Sequence, residues 1–253
     1  MKDSRGCGGR VAVIGGLDPS GGAGLLRDAW TIEGRAPGLE LHAVCTALTR
    51  QGEGGPARAA SAEPSIFVGE LERLASLERL GAIKLGMVPA EQVDALEEFL
   101  ARLRARPTRP WIVCDPVGSA TAGGRLGAPA GALLRLAARV DLLTPNLAEL
   151  AELREAGSLP DHIALLCKGE PVPGRPDRIR DRLRLADGSE QVFERPRVTG
   201  PDPRGTGCAL ASAIACELAL GRSLITAVAA AVAWLDGARR RPLRVAGSWH
   251  LPR

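Results

Sequence analysis

Val11-Ala12-Val13-Ile14-Gly15-Gly16-Leu17-Asp18-Pro19-Ser20-Gly21-Gly22-Ala23-Gly24 is the stretch whose reading decides the fold of this 253-residue chain. The short apolar run 11–14 reads as a strand, the glycines as the loop that leaves it, and residues 23–34 have helix-forming composition. The loop holds more glycine than a strand-to-helix turn needs. Glycine adopts conformations that other residues avoid, so the backbone here is able to approach a ligand closely. The other reading is a turn of generous flexibility.

Outward from this unit the same alternation continues. Short apolar runs at 41–45, 82–85, 111–114, 140–143 and 163–167 read as strands, and 65–80, 91–106, 128–139 and 147–155 as helices. Strand and helix in turn are the signature of a parallel sheet covered by helices on both faces, an α/β fold of three layers. Towards the carboxyl end, 182–185 and 191–194 flank Asp187-Gly188, a hairpin signal that predicts antiparallel strands at one edge. No repeat, low-complexity tract or linker divides the chain, so one domain over 1–253 is expected.

Composition narrows the function. Hydrophobic residues make up 45% of the chain, enough for a substantial core. The apolar runs are short and broken, and Met1-Lys2-Asp3-Ser4-Arg5-Gly6 has no signal-peptide character, so neither a membrane span nor export is expected and the cytoplasm is the expected compartment. Six cysteines without a Cys-x-x-Cys pair read as reduced thiols. A net charge of +4 with 3% aromatic residues and no tyrosine argues against nucleic-acid binding. The basic stretches at 175–184 and Arg239-Arg240-Arg241 read as solvated surface. Lysines occur only at Lys2, Lys84 and Lys168, and one kept at a strand end in so arginine-rich a chain hints at a need for a compact point charge.

The distinctive residues fall at one place on this scaffold. Gly15-Gly16, Thr46, Gly86-Met87, Asp115, Thr144-Pro145-Asn146 and Lys168-Gly169 each follow one of the six strands, and in an open parallel sheet those ends form the ligand-binding edge. Asp115 there is placed to hold Mg²⁺, or to open a turn. Asn146 with Glu149 is nearly a capping box, which leaves the glutamate able to face a metal-bound phosphate as well. Lys168 is either a phosphate contact or an ordinary surface lysine.

Arg204-Gly205-Thr206-Gly207-Cys208 runs into a helix marked by Leu210, Ile214 and Leu218. The first N–H groups of a helix lack partners, so glycines that bare them create a pocket for phosphate. Cys208 would lie in the first turn, where the helix field predicts a thiol pKa below that of free cysteine. A small buried cysteine is the plainer alternative. The segment is neither a dinucleotide fingerprint, since the third glycine is missing, nor a Walker A loop, since the chain has no Gly-Lys pair.

Taken in order, Gly16-Leu17-Asp18-Pro19-Ser20-Gly21-Gly22-Ala23-Gly24 with Asp28, Thr46-Ala47-Leu48-Thr49-Arg50-Gln51, Ile83-Lys84-Leu85-Gly86-Met87, Asp115-Pro116-Val117, Thr144 to Glu149 and Gly205-Thr206-Gly207-Cys208 resemble the hydroxymethylpyrimidine/phosphomethylpyrimidine kinases of thiamine biosynthesis, a branch of the ribokinase-like superfamily. The resemblance covers most of the chain. Cys208 is its most discriminating position, since most ribokinase relatives place aspartate there.

The resemblance implies a ribokinase-like fold, ATP and Mg²⁺ as cofactors, a homodimer, and two successive phosphoryl transfers to a hydroxymethylpyrimidine. It implies that Gly16, Asp28, Gln51, Met87 and Val117 line the pyrimidine pocket, with Asp28 and Gln51 hydrogen-bonding the ring. Asp115 and Glu149 would organise Mg²⁺, Asn146 and Lys168 would stand near the nucleotide phosphates, and Gly205, Thr206 and Gly207 would form the anion hole. Cys208 would assist deprotonation of the hydroxymethyl group. Departures from the family pattern are Lys168-Gly169-Glu170-Pro171 in place of Lys-Gly-Gly-His, Ala209, Arg204 and Ala122-Gly123-Gly124. Alternatives are a pyridoxine or pyridoxal kinase, which shares the superfamily, and a pyrimidine-binding regulator that has lost transfer.

Overall fold

The structure is a computed structural model and describes residues 8–50, 57–118, 124, 126–245 and 247–253. Its strands β1 (Arg10–Leu17), β2 (Glu40–Arg50), β3 (Arg58–Ser61), β4 (Leu80–Leu85), β5 (Trp111–Cys114), β6 (Leu142–Leu143), β7 (Ala164–Val172), β8 (Arg175–Arg184) and β9 (Glu190–Pro196) form one sheet in the order β3-β2-β1-β4-β5-β6-β7-β8-β9. Pairing is parallel from β2 through β7 and antiparallel at β2–β3, β7–β8 and β8–β9. The expected hairpin is β8–β9. Strands β10 (Leu243–Val245) and β11 (Ser248–His250) pair separately.

Alternation along the central strands sorts their side chains onto two cores. Val11, Val13, Ala82, Val113 and Leu166 face helices α1 (Gly24–Arg35), α6 (Thr206–Ala219) and α7 (Leu224–Arg239). Ala12, Ile14, Ile83, Leu85, Ile112 and Leu165 face α2 (Pro64–Ala75), α3 (Val93–Arg104), α4 (Ala130–Ala137) and α5 (Leu147–Ala156). Burial on both faces is why these strands read as continuous apolar runs. Helix α6 is covered by the sheet and by α1 and α7, so its apolar residues run around its circumference, with Ala209 to Ala219 all buried.

The structure differs from the sequence expectations in four places. Strand β2 continues to Arg50 and turns back as β3, an all-polar or small edge strand without an apolar pattern to announce it. Only Leu142 and Leu143 of 140–143 pair as a strand. Strand β7 runs past Lys168 to Val172 because β8 pairs with it there, so Lys168 lies within a strand and not at its end. Helix α7 is absent from the expectations because its alanine-rich sequence lacks a distinct apolar stripe.

The chain order reverses between β1 and β4, with β2 on one side of β1 and β4 on the other. Ligands bind beyond the carboxyl ends of strands at such a switch point. Gly15 and Gly16 end β1 across a register shift, and Gly86 donates its N–H to Ile14 O at 2.8 Å beside them.

Candidate active site

A cavity of about 260 Å³ opens at the switch point. Its wall includes Gly16, Met87, Val117, Asp115, Asn146, Glu149, Lys168, Gly205, Thr206, Gly207 and Cys208, eleven of the residues singled out in the sequence. They come from six separate segments, brought together by the parallel order of the strands. Gln51 lies outside the described residues, as do Ala122 and Gly123. Asp28 is the exception: it is fully buried on α1 and does not line the cavity. Its Oδ2 accepts from Lys84 Nζ at 2.7 Å and its Oδ1 from Ser212 Oγ at 2.8 Å. The carboxylate expected to meet the ring is committed to the protein, and the ammonium it holds is what reaches the cavity wall. Burial opposes the charge on Lys84, but the carboxylates of Asp28 and Asp115 hold the ammonium protonated.

Met87 and Val117 pack with Ala47, Ala57 and Leu126 into a small apolar cluster at this wall. Leu126, Thr49, Lys84, Arg195 and Arg239 also line the cavity. Arg239 therefore is not the solvated residue expected from its Arg-Arg-Arg run, because only the register of α7 decides which of the three turns inward. Lys84 carried the one signal that sequence reading had, its rarity as a lysine.

Helix α6 begins as expected, with Thr206, Gly207 and Cys208 in its first turn. Gly205 precedes it with φ of 74°, and a Cβ there would lie 2.2 Å from Gly22 O, so the anion-hole segment packs backbone to backbone on the glycine loop. Arg204 ties the same two segments together, its Nη2 2.9 Å from Asp18 Oδ2. A Cβ on Gly207 would stand 3.1 Å from Asp115 Oδ2 and 3.3 Å from Lys168 Nζ. The helix start thus rests directly on those two charged groups.

Electrostatics revise the role of the thiol. Burial pushes Cys208 up to about 11, against the opposing pull of Lys84 and of a hydrogen bond from the Gly24 backbone. The expected depression below free cysteine does not occur, because loss of hydration, with Asp28 and Asp115 nearby, dominates. Cys208 keeps part of its surface towards the cavity and is a neutral thiol at pH 7.

Asp115 accepts from Lys168 Nζ at 2.7 Å through Oδ1. Asn146 and Glu149 form the full capping box, with Asn146 Oδ1 accepting from Glu149 N at 2.9 Å and Glu149 Oε2 accepting from Asn146 N at 2.8 Å. Burial, reinforced by Asp115 and opposed by Lys168, raises Glu149 to about 7. Capping and exposure to the cavity coexist in the same side chain. Two carboxylates with one lysine suit a cation that brings further ligands, since Mg²⁺ takes one or two carboxylates and completes its shell with phosphate and water. Among the described residues no group of three His, Cys, Asp or Glu could hold a metal unaided. Glu170, one of the expected departures, does not line the cavity; Arg180 at 3.0 Å and Arg182 at 3.2 Å neutralise it.

No helix among the described residues is long and apolar enough to cross a membrane. Residues 18–252 match the sequence profile of the phosphomethylpyrimidine kinases. A thiamine biosynthesis multifunctional protein of Corynebacterium efficiens is 34% identical over 249 residues, covering 91% of this chain and 33% of that protein. The chain thus spans about a third of that relative's length. A hydroxymethylpyrimidine/phosphomethylpyrimidine kinase of Salmonella typhimurium is 33% identical over 242 residues, with 89% of each chain covered. Among solved structures, the pyridoxal kinase of Staphylococcus aureus in complex with AMP-PCP superposes with a TM-score of 0.78 at 21% identity, over 96% of this chain and 92% of that one, a likeness of fold alone. On the match over nearly its whole length, this chain belongs to the phosphomethylpyrimidine kinase family.

Proposed function

We propose that the protein transfers the terminal phosphoryl group of Mg-ATP to 4-amino-5-hydroxymethyl-2-methylpyrimidine and then to the monophosphate so formed. One observation carries this reading: a single cavity joins the apolar wall of Met87, Val117 and Leu126 to Cys208 at the start of α6 and to the Asp115, Lys168 and Glu149 group. The apolar wall suits a small ring, and the charged group suits a polyphosphate. AMP-PCP in the Staphylococcus aureus structure supports a nucleotide donor for this fold. The family match and the curated relatives support a pyrimidine over pyridoxal as acceptor.

Asp115 and Glu149 are the residues proposed to hold Mg²⁺, which when bound neutralises charge on the phosphates. Lys168 and Asn146 orient the nucleotide, and the N–H groups of the first α6 turn receive charge that builds on the phosphoryl oxygens. Phosphoryl transfer passes through a loose transition state in which positioning and electrostatics outweigh a strong base. A neutral Cys208 thiol is adequate for that chemistry: it orients the hydroxymethyl oxygen, and its small thiolate fraction takes the proton. The phosphate acceptor of the second transfer has no proton that must leave at neutral pH. We place this activity in the cytoplasm, in keeping with five free cysteines among the described residues, and in a homodimer.

The test is ATP consumption by the purified protein with the pyrimidine and with pyridoxal, followed by mass spectrometry of the products. Both phosphorylated pyrimidines should form, and Cys208→Ala should slow the first transfer roughly 10²-fold while changing the second much less. Pyridoxal turned over in preference, or ligand binding without ATP consumption, would overturn the reading.

A further inference from the structure

Two arginines of the cavity wall have no role in the reaction described so far. Arg195 belongs to β9, at the outer edge of the sheet and five strands from β4, which leads into Met87. Arg239 ends α7, one turn after Leu235, which also lines the cavity. Arg195 is built in place by a buried acid. Asp181 on β8 has no exposed surface; its Oδ2 lies 3.0 Å from Arg195 Nη2, and its Oδ1 accepts from Gly169 N at 2.8 Å. One carboxylate therefore holds an arginine against the bulge of β7 that carries Lys168. Arg239 pairs at 2.9 Å with Asp202, whose own side chain is 68% exposed.

Neither guanidinium is saturated. Arg195 Nη1 and Arg239 Nε are buried without a partner among the described residues, although a guanidinium offers five donors in a planar fork. The charges of the wall point the same way. Lys84, Lys168, Arg195 and Arg239 face the cavity against only Asp115 and Glu149, so the lining itself has an excess of positive charge, and the acids paired with Lys84, Arg195 and Arg239, namely Asp28, Asp181 and Asp202, lie outside that lining. The apolar cluster of Met87 and Val117 leaves the ring of the acceptor at the β4 end, and the excess at the β7 to β9 end is left for a multiply charged anion.

We propose that Arg195 and Arg239 bind the polyphosphate of the nucleoside triphosphate donor, with Asp181 as a positioning residue that sets Arg195 beside the Lys168-Gly169 bulge of β7. This rests on the kinase reading above and adds to it the residues that hold the donor. Arginine suits the task because its fork meets two phosphate oxygens at once.

Initial rates with ATP and hydroxymethylpyrimidine varied separately, and calorimetric titration with ADP, test the assignment. Arg239→Met should raise KM for ATP and Kd for ADP about tenfold and leave KM for the pyrimidine within about twofold. Arg239→Lys should recover part of the loss, since a point charge remains. Arg195→Met and Asp181→Asn should show the same split between the two KM values, which loss of folded protein alone does not produce. Should either fail to fold, Arg239→Met decides, because its exposed partner Asp202 is left in water. Unchanged ADP affinity in Arg239→Met, or an equal rise in both KM values, would overturn the assignment. Wild-type protein that binds ADP without phosphorylating the pyrimidine would sink the kinase reading and leave the arginines standing. Wild-type protein that does not bind ADP would sink both.

Discussion

At the scale of single residues, burial decides chemistry that residue type leaves open. Cys208 and Glu149 both sit in first helical turns, where the helix field favours the charged form, and both are displaced towards the neutral form because the surrounding protein strips their hydration. For Glu149 this has a consequence for stability. Its folded-state value of about 7 lies above the ordinary 4.5, so the native state retains a proton that the unfolded chain releases, and stability falls as pH rises through that interval. Glu149→Gln keeps an oxygen for the Asn146 N–H and removes the titration. Thermal melts should place it roughly 2–4 °C above wild type at pH 8, with the gap closing below pH 4.5, while turnover falls about 10- to 100-fold. A gap that does not change with pH would contradict the proposed origin.

At the scale of elements, the start of α6 depends on a backbone contact. Gly205→Ala forces a residue with a Cβ into a left-handed conformation and drives that Cβ into Gly22 O at 2.2 Å. Gly188, in the β8–β9 turn at φ of 83°, has nothing within 4 Å and isolates the conformational cost. Urea denaturation should therefore show a loss of about 1 kcal/mol for Gly188→Ala with activity intact. Gly205→Ala should lose more, about 1–3 kcal/mol, and turnover should fall by about 10²-fold as the helix start moves off Asp115 and Lys168. Equal effects on stability and activity at the two sites would show that the Gly22 contact does not matter. The helix itself was readable from Leu210, Ile214 and Leu218, as was the hairpin from Asp187-Gly188. Helix α7 was not, because its exposed side carries Ile225 and Ala233, so the buried stripe of Ala227, Val228, Ala231, Val232 and Leu235 has no polar contrast to mark it.

At the scale of the whole molecule, the sheet separates two cores with different relations to the site. The core under α1, α6 and α7 contains Leu210 and Leu235's packing partners and reaches the cavity itself; both leucines line it. Among the described residues none of the core under α2 to α5 lines the cavity, and what those helices bring to it are Asn146 and Glu149 at the start of α5. Phe99, fully buried on α3 in that second core, is the clean probe. Phe99→Ala should cost about 3–5 kcal/mol by the loss of buried surface and the cavity left behind, with both KM values of the folded fraction unchanged. A raised KM would show that the two faces are coupled across the sheet.

The sequence by itself determined the α/β architecture, the five parallel connections and, Lys168 apart, the strand-end positions of the site, because period and glycine punctuation are local properties that the chain carries wherever it folds. Eleven of the expected site residues meet in one cavity for that reason. What only the tertiary structure decided are the partners. Asp28 turned to Lys84 and Ser212, Arg239 and not its neighbours faced inward, Glu170 was neutralised by Arg180 and Arg182, and the Cys208 thiol was raised where the helix field alone predicts a fall. Each of these depends on groups far away in the chain, and on hydration lost only when layers close over them. Spacing along one strand or helix does not contain that information.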